Sequence, residues 1–443
     1  MIRVLVLTIM LLPVSMLALE YTFPGTTWET ATPEEVGLDA GAVNTAASQL
    51  GGHGAIIRYG YVVKVWGSSG LAASTDWASS CKPIFSLMIW KAIHDGKVES
   101  FQTLVKDIMT DQTFNEKDSK IQLYHLAHMT SGWGRAEDPG DAFSYNDWAI
   151  NLYGKAVYHY IFKESGTTPS EIMQSELSML QFEHDPGLHE TKVGRWADVS
   201  VGDAGRMAHL FLNDGNWNGT QVINKGEIYN MLGQVVPADL PITKAEGDMS
   251  FNSGTLGGRS TYQNDGNMGP GSYSFNFWLN ANKKLWPDLD TNVFQGNGHF
   301  GRENYTIFPN EQLIVIHYGN TFSNSQMNSR YKPLLEGVTS NPIEPINEIG
   351  PAPVNIQETQ AAKNKTINIY STSQKSGLVL GLPVFSGIGK LRIVNTQGLT
   401  LVQERVHSGD KFNWDTKQIK PGVYFAELNA EGLKVRRKLT LTH

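Results

Sequence analysis

The chain has 443 residues, 40% hydrophobic and 18% charged, which is enough for two or three globular domains with ample cores. Its net charge of −7 argues against a nucleic-acid partner, and the one basic cluster, Lys434-Val-Arg-Arg-Lys438, suits the solvent face of a terminal strand. A single cysteine, Cys81, excludes an internal disulfide, a thiolate zinc site and an iron–sulfur cluster, and is expected to pack as a small hydrophobe.

Arg3 followed by an apolar run reads as a secretory signal peptide over residues 1–19, with an uncleaved membrane anchor as the competing reading. No cysteine follows it, which excludes a lipoprotein anchor. Residues 54–67 predict an antiparallel hairpin turning near Gly60. Next comes Trp77-Ala-Ser-Ser-Cys-Lys-Pro-Ile-Phe85, where Ser79 and Lys82 open an almost wholly apolar run to Trp90. A serine and a lysine three apart share one helix face, and a helix apolar around its circumference is buried. A buried lysine is destabilised in its charged form, so it can accept a proton and activate a serine hydroxyl. The same spacing at Ser329/Lys332 and Ser408/Lys411 heads no such helix.

Residues 83–235 are mainly helical in pattern, with loops at 130–132 and 138–140. Gly, Asn and Ser dominate 240–272, predicting a long surface loop bordering a site. Strands return at 273–279, 305–308 and 313–318, so one α+β domain over 22–337 is expected, its sheet joining both ends. Pro342, Pro345, Pro351 and Pro353 mark a linker over 338–363. Strand-like runs at 367–370, 390–394, 399–402, 423–428 and 435–441 predict a small β-sandwich over 364–443.

A Ser-x-x-Lys site needs a second proton handler and donors facing the nucleophile. The candidates are Pro139-Gly-Asp-Ala-Phe-Ser-Tyr145-Asn146-Asp147 and Gly296-Asn-Gly-His299-Phe300-Gly301-Arg302. Together with Trp28-Glu-Thr-Ala-Thr-Pro-Glu-Glu-Val-Gly-Leu38, Leu123-Tyr-His-Leu-Ala-His-Met-Thr-Ser-Gly132, Gly202-Asp-Ala-Gly-Arg206-Met and Asn213-Asp-Gly-x-Trp217-x-Gly219, they carry a resemblance. Residues 25–335 resemble the serine β-lactamase and penicillin-binding-protein superfamily, nearest its class C-like branch of esterases and D-aminopeptidases.

The resemblance implies a β-lactamase-like antiparallel sheet flanked by helices, with a mainly helical subdomain. It implies Ser79 as nucleophile, Lys82 as its base, Tyr145 as proton relay and His299 as a further catalytic residue, in His299-Phe300-Gly301, the strand motif that is often Lys-Thr-Gly. The N–H groups of Ser79 and Arg302 would form the oxyanion hole, with Asp147, Phe300 and Gly301 lining the substrate site. Two departures bear on substrate. Asp147 stands where the family often has asparagine, leaving an acceptor-only carboxylate. Phe300 replaces a hydroxyl residue that helps bind the carboxylate of a β-lactam. Both favour a neutral or apolar acyl group.

The expected reaction is hydrolysis of a small-molecule carboxylic ester or small amide through a Ser79 acyl-enzyme, with no metal and no organic cofactor. The alternatives are a β-lactam or D-amino-acid peptide substrate, or a catalytically weak ligand-binding or sensor protein of the same fold. In the tail, Gly389-Lys-Leu-Arg-Ile-Val-Asn-Thr-Gln-Gly398, Ile419-Lys-Pro-Gly-Val-Tyr-Phe-Ala-Glu-Leu428 and Arg437-Lys-Leu-Thr-Leu441 resemble C-terminal sorting domains of type IX secretion. That implies a secretion-machinery partner and a secreted or cell-surface location reached through the periplasm. A carbohydrate-binding sandwich using an exposed Trp414 is the competing reading. No Gly-x-Ser-x-Gly, Gly-x-x-x-x-Gly-Lys or His-Glu-x-x-His occurs. His184, Asp185, His189 and Glu190 read as a solvated loop, and Asp288 and Asp290 are too sparse for a calcium loop.

Overall fold

The apolar hairpin near the start of the chain and the strands after residue 273 meet in one sheet. In the computed structural model β1 (His53–Arg58) and β2 (Tyr61–Trp66) turn at Tyr59-Gly60, both left-handed as a two-residue hairpin turn requires. The sheet continues with β3 (Tyr273–Ser274), β4 (Phe277–Leu279), β5 (Phe294–Gly298), β6 (Glu303–Phe308) and β7 (Leu313–Tyr318). Its order is β2-β1-β7-β6-β5-β4-β3, with every neighbour antiparallel, so the two ends of the expected α+β domain close against each other. The described residues run from 19 to 340, without 189–195, 244 and 255–267, and from 370 to 441, without 375–376, 382–385, 396–399, 408–410, 418 and 432. The expected signal peptide and most of the expected linker lie outside them, as do His189 and Glu190.

Adjacent residues of a strand point to opposite faces, and β6 shows what covers each. The Tyr305 ring stacks on Phe211 of α4 (Val201–Leu212), while the Thr306 hydroxyl lies 3.0 Å from that of Tyr331 in α5 (Asn324–Glu336). Helix α1 (Ala40–Leu50) packs beside α5. Both faces being covered, β1 carries the continuous buried run Ala55-Ile56-Ile57. Helix α4 is buried along its whole length, and at Gly205 any Cβ would lie 2.9 Å from the Ile57 side chain.

Helices α2 (Lys82–His94) and α3 (Asp147–Lys155) dominate the region between the strands. Two-residue strands interrupt it, including the hairpin Asn216–Trp217 with Thr220–Gln221, where a mainly helical pattern was expected. The described part of the Gly/Asn/Ser-rich loop is stitched to the segment that leads to α3. Phe143 N–H donates to Pro241 O at 2.8 Å, Thr243 N–H to Phe143 O at 3.1 Å and Gly247 N–H to Gly134 O at 3.2 Å.

The chain leaves this part at a fixed point. Buried Arg58 donates to the carbonyls of Val36 (2.7 Å), Gly37 (2.8 Å) and Ser340 (3.3 Å), binding its first and last segments together.

The chain divides into two compact units, Met1–Val354 and Asn355–His443. The second holds a sheet of β8 (Tyr370–Gln374), β9 (Gly377–Gly381) and β12 (Lys411–Trp414). Its other sheet is formed by β10 (Ser386–Asn395), β11 (Thr400–His407), β13 (Gly422–Glu431) and β14 (Leu433–Leu441). Leu380 and Trp414 from the first sheet share one core with Leu391, Ile393, Val406, Ala426, Leu428 and Leu439 from the second, making the expected sandwich. Trp414 is 3% exposed and edge-on to Tyr424, so it offers no surface for a sugar ring, and the carbohydrate-binding reading loses its one support.

Candidate active site

The backbone bends sharply before Ser79. Ala78 sits at φ +43°, ψ −122°, a conformation that costs a non-glycine residue about 1–3 kcal/mol and persists only when its surroundings enforce it. Three bonds do so here. Ala78 N–H donates to Asp76 Oδ1 at 2.8 Å, Trp196 N–H to Ala78 O at 3.3 Å, and the indole of buried Trp77 to Val199 O at 2.7 Å. The bend delivers Ser79 to the head of a helical turn, Ser79–Cys81, that runs straight into α2. The first N–H groups of a helix have no partner within it, and the aligned peptide dipoles make that end positive. Ser79 is half-buried there, whereas Lys82, one turn on, is 1% exposed. Helix α2 owes its depth to Ile84, Phe85, Leu87, Met88, Ile89 and Trp90, all buried.

Tyr145 reaches the same place from the start of α3. Its neighbour Asn146 caps that helix, accepting from Trp148 N–H at 2.9 Å and Ala149 N–H at 3.1 Å, and donates to Trp133 O at 2.6 Å. The Tyr145 ring stacks on Trp278 at 5.8 Å and meets Tyr273 edge-on at 6.1 Å. Its hydroxyl is hydrogen-bonded to the side chain of Ser79, and Lys82 Nζ lies 5.0 Å from its ring centre. Burial pushes the Tyr145 hydroxyl far above the ordinary phenol value, with Asp147 and Cys81 adding to the rise and the Ser79 hydrogen bond opposing it. At neutral pH it is therefore a phenol. Ser79, Lys82, Tyr145 and Asp147 are thus brought together, with Asp147 as the half-buried first residue of α3.

The strand side differs from expectation. The strand that meets the nucleophile turn is β5. At Gly298 a Cβ would stand 2.3 Å from Trp77 O, so only glycine allows this approach. From β6, Tyr305 Oη donates to Ser80 O at 2.9 Å. His299, Phe300 and Gly301, expected as a strand motif, form the turn between β5 and β6, with φ of +39°, +62° and +92°. Consecutive left-handed residues cannot continue a ladder. Arg302 N–H is spent inside this turn on Gly298 O at 3.0 Å, which removes it from the expected pair of oxyanion donors. Gly301 O accepts from Phe322 N–H at 3.3 Å and Asn304 Nδ2 at 2.9 Å, and a Cβ added at Gly301 would stand 2.3 Å from Phe322 O. Phe300 projects from the turn, 59% exposed. His299 Nδ1 lies 2.7 Å from Oε2 of Glu303, whose side chain is fully buried, and Arg302 Nε is 3.5 Å from the other carboxylate oxygen. Sequence reasoning passed over Glu303; an acid opening a strand that is buried at every position is unusual, but that burial is visible only in the fold.

Residues 367–442 match the family described as "Secretion system C-terminal sorting domain". The tail is similar to such a sorting domain. No curated protein matches the chain. Solved structures similar to it include a beta-lactamase from Mycobacterium bovis, at 16% identity and TM-score 0.46, covering 65% of this chain and 95% of that one. A penicillin-binding protein homolog from Caulobacter crescentus is 13% identical with TM-score 0.48, over 67% of this chain and 95% of its own. EstCE1, a hydrolase with promiscuous acyltransferase activity, is 14% identical with TM-score 0.47, over 68% and 98%. Among the described residues, no helix is long and apolar enough to cross a membrane.

Proposed function

We propose that the chain is a secreted serine hydrolase that cleaves a carboxylic ester through an acyl-enzyme on Ser79. One observation carries this reading: the Ser79 hydroxyl is hydrogen-bonded to a buried phenol, Tyr145, whose ring lies beside the side-chain amine of buried Lys82. Ser79 Oγ attacks the ester carbonyl while its proton passes to Lys82, either directly or through Tyr145, which accepts one proton as it gives another. The N–H of Ser79, at the positive end of α2, donates to the developing oxyanion. The same relay returns a proton to the departing alkoxide, and water then releases the acid.

The surroundings favour an uncharged acyl group. Asp147 raises the Tyr145 hydroxyl through its negative charge and would repel a carboxylate in the same way, and Phe300 offers an apolar ring at the β5–β6 turn. A neutral ester is therefore the preferred substrate, ahead of a small amide and of a β-lactam. The sorting-domain tail supports export by a type IX route to the cell surface or beyond.

A fluorophosphonate probe should label the wild-type chain and leave Ser79→Ala unlabelled; equal labelling of the two would end the reading. Assayed side by side, a p-nitrophenyl ester should be turned over faster than a chromogenic cephalosporin. The reverse order would overturn the substrate class.

A further inference from the structure

Strand β6 presents Glu303 and Tyr305 on one face, two residues apart. Tyr305 holds the carbonyl of Ser80, in the turn that carries the nucleophile. Glu303 holds the imidazole of His299. Glu303 is also the cross-strand partner of Gly298, the residue whose Cα touches Trp77 O. The carboxylate lies in the space a side chain at 298 would enter, 3.2 Å from an added Cβ. One strand face thus sets both the serine turn and the histidine.

We infer that Glu303 is a positioning residue for His299, and that this pair serves the second half of the reaction, the hydrolysis of the acyl-enzyme. The inference rests on the acyl-enzyme reading above. A carboxylate 2.7 Å from Nδ1 makes that nitrogen the N–H donor of the neutral ring and leaves Nε2 as the basic atom. His299 is 34% exposed, so water reaches it, while Glu303 is sealed from solvent. Two consecutive non-glycine residues in left-handed conformation, His299 and Phe300, mark a turn that is held against its own backbone preference.

The step balances as follows. His299 Nε2 takes one proton from a water molecule as the water oxygen bonds to the acyl carbon. The carbon–Oγ bond then breaks, its electron pair goes to Ser79 Oγ, and Oγ takes that proton back. Products are the free acid and the serine hydroxyl. Glu303 stabilises the transient imidazolium, so it orients the ring and does not itself exchange a proton.

The test separates the two halves of the cycle in the full chain. Fluorophosphonate labelling needs only the serine half, whereas p-nitrophenyl butyrate turnover needs both. In Glu303→Gln, labelling of Ser79 should keep the wild-type rate. Steady-state turnover should fall about 10- to 100-fold, with a burst of nitrophenol and an acyl adduct on Ser79 visible by intact mass. His299→Gln, which alters a turn side chain rather than a buried one, should do the same, and the double variant should be no slower than His299→Gln alone. Labelling and turnover falling together in both variants would reduce Glu303 to a structural role and overturn the inference, as would unchanged turnover. Failure of the wild-type chain to label would sink the acyl-enzyme reading instead, and this inference with it.

Discussion

Tyr145 touches the nucleophile through a single oxygen atom, so Tyr145→Phe removes that oxygen and almost no volume. Esterase kcat should fall about 10²- to 10⁴-fold, the usual worth of a positioned proton handler, while the melting temperature stays close to wild type. A variant that melted early in proportion to its lost activity would argue that the phenol only supports packing. Gly298→Ala acts at the opposite wall. Its new methyl would meet Trp77 O at 2.3 Å, so β5 or the serine turn must shift, and labelling of Ser79 should slow markedly. Ser79 and Lys82 were legible in the sequence because their relation is local, three positions on one helix, and the apolar run after them announces burial. Tyr145 was reached only through the resemblance of its flanking Pro-Gly-x-x-Phe-x-Tyr run. The turn residues were not legible. His299 and Phe300 have side chains suited to a strand, and nothing in their identities foretells two left-handed residues ahead of Gly301. Glu303 was missed for a related reason, since its partner lies across a turn whose shape the sequence conceals.

Strand β6 ties the sheet to the nucleophile turn through the Tyr305 hydroxyl, fully buried and bonded to Ser80 O at 2.9 Å. Tyr305→Phe leaves that carbonyl short of a donor and should cost about 1–3 kcal/mol of stability, read from urea unfolding. If the loss is nil, the bond does not hold the turn. The pairing of the hairpin with the later strands was readable because residues 55–57, 305–308 and 313–316 are runs of apolar, aromatic and β-branched residues. Strand β5 was not readable. Gly-Asn-Gly looks like loop composition, yet its glycines are there because Tyr305 and Trp77 press against them, a demand of close approach that composition cannot distinguish from flexibility. In the tail, the sequence pattern does not mark β9 and β12, and the burial of Trp414 depends on a second sheet contributed by distant strands.

The molecule as a whole should weaken in mild acid. Burial lowers the imidazoles of His125, His128 and His209 to about 4 and that of His317 to about 3, against an ordinary value of 6.5. Below pH 6.5 the unfolded chain takes up protons that these folded rings refuse, so stability is full above that pH and drains away as pH falls toward 4. Asp214 and Glu311, raised to about 6 by burial, and Glu227, also raised by burial, act in the opposite sense over part of that range, while His159, lowered by burial, joins the other imidazoles. The urea midpoint should therefore drop between pH 7 and 4.5; a midpoint that rose on acidification would refute the balance. The two units have separate cores, so a chain ending at Val354 should keep its esterase rate yet remain inside the cell, as fractionation with an activity assay would reveal. Arg58 adds a consequence for truncation. Because its guanidinium buckles Ser340 to Val36 and Gly37, exopeptidases trimming a chain cut after Ser340 should meet a fastened edge rather than a fraying one.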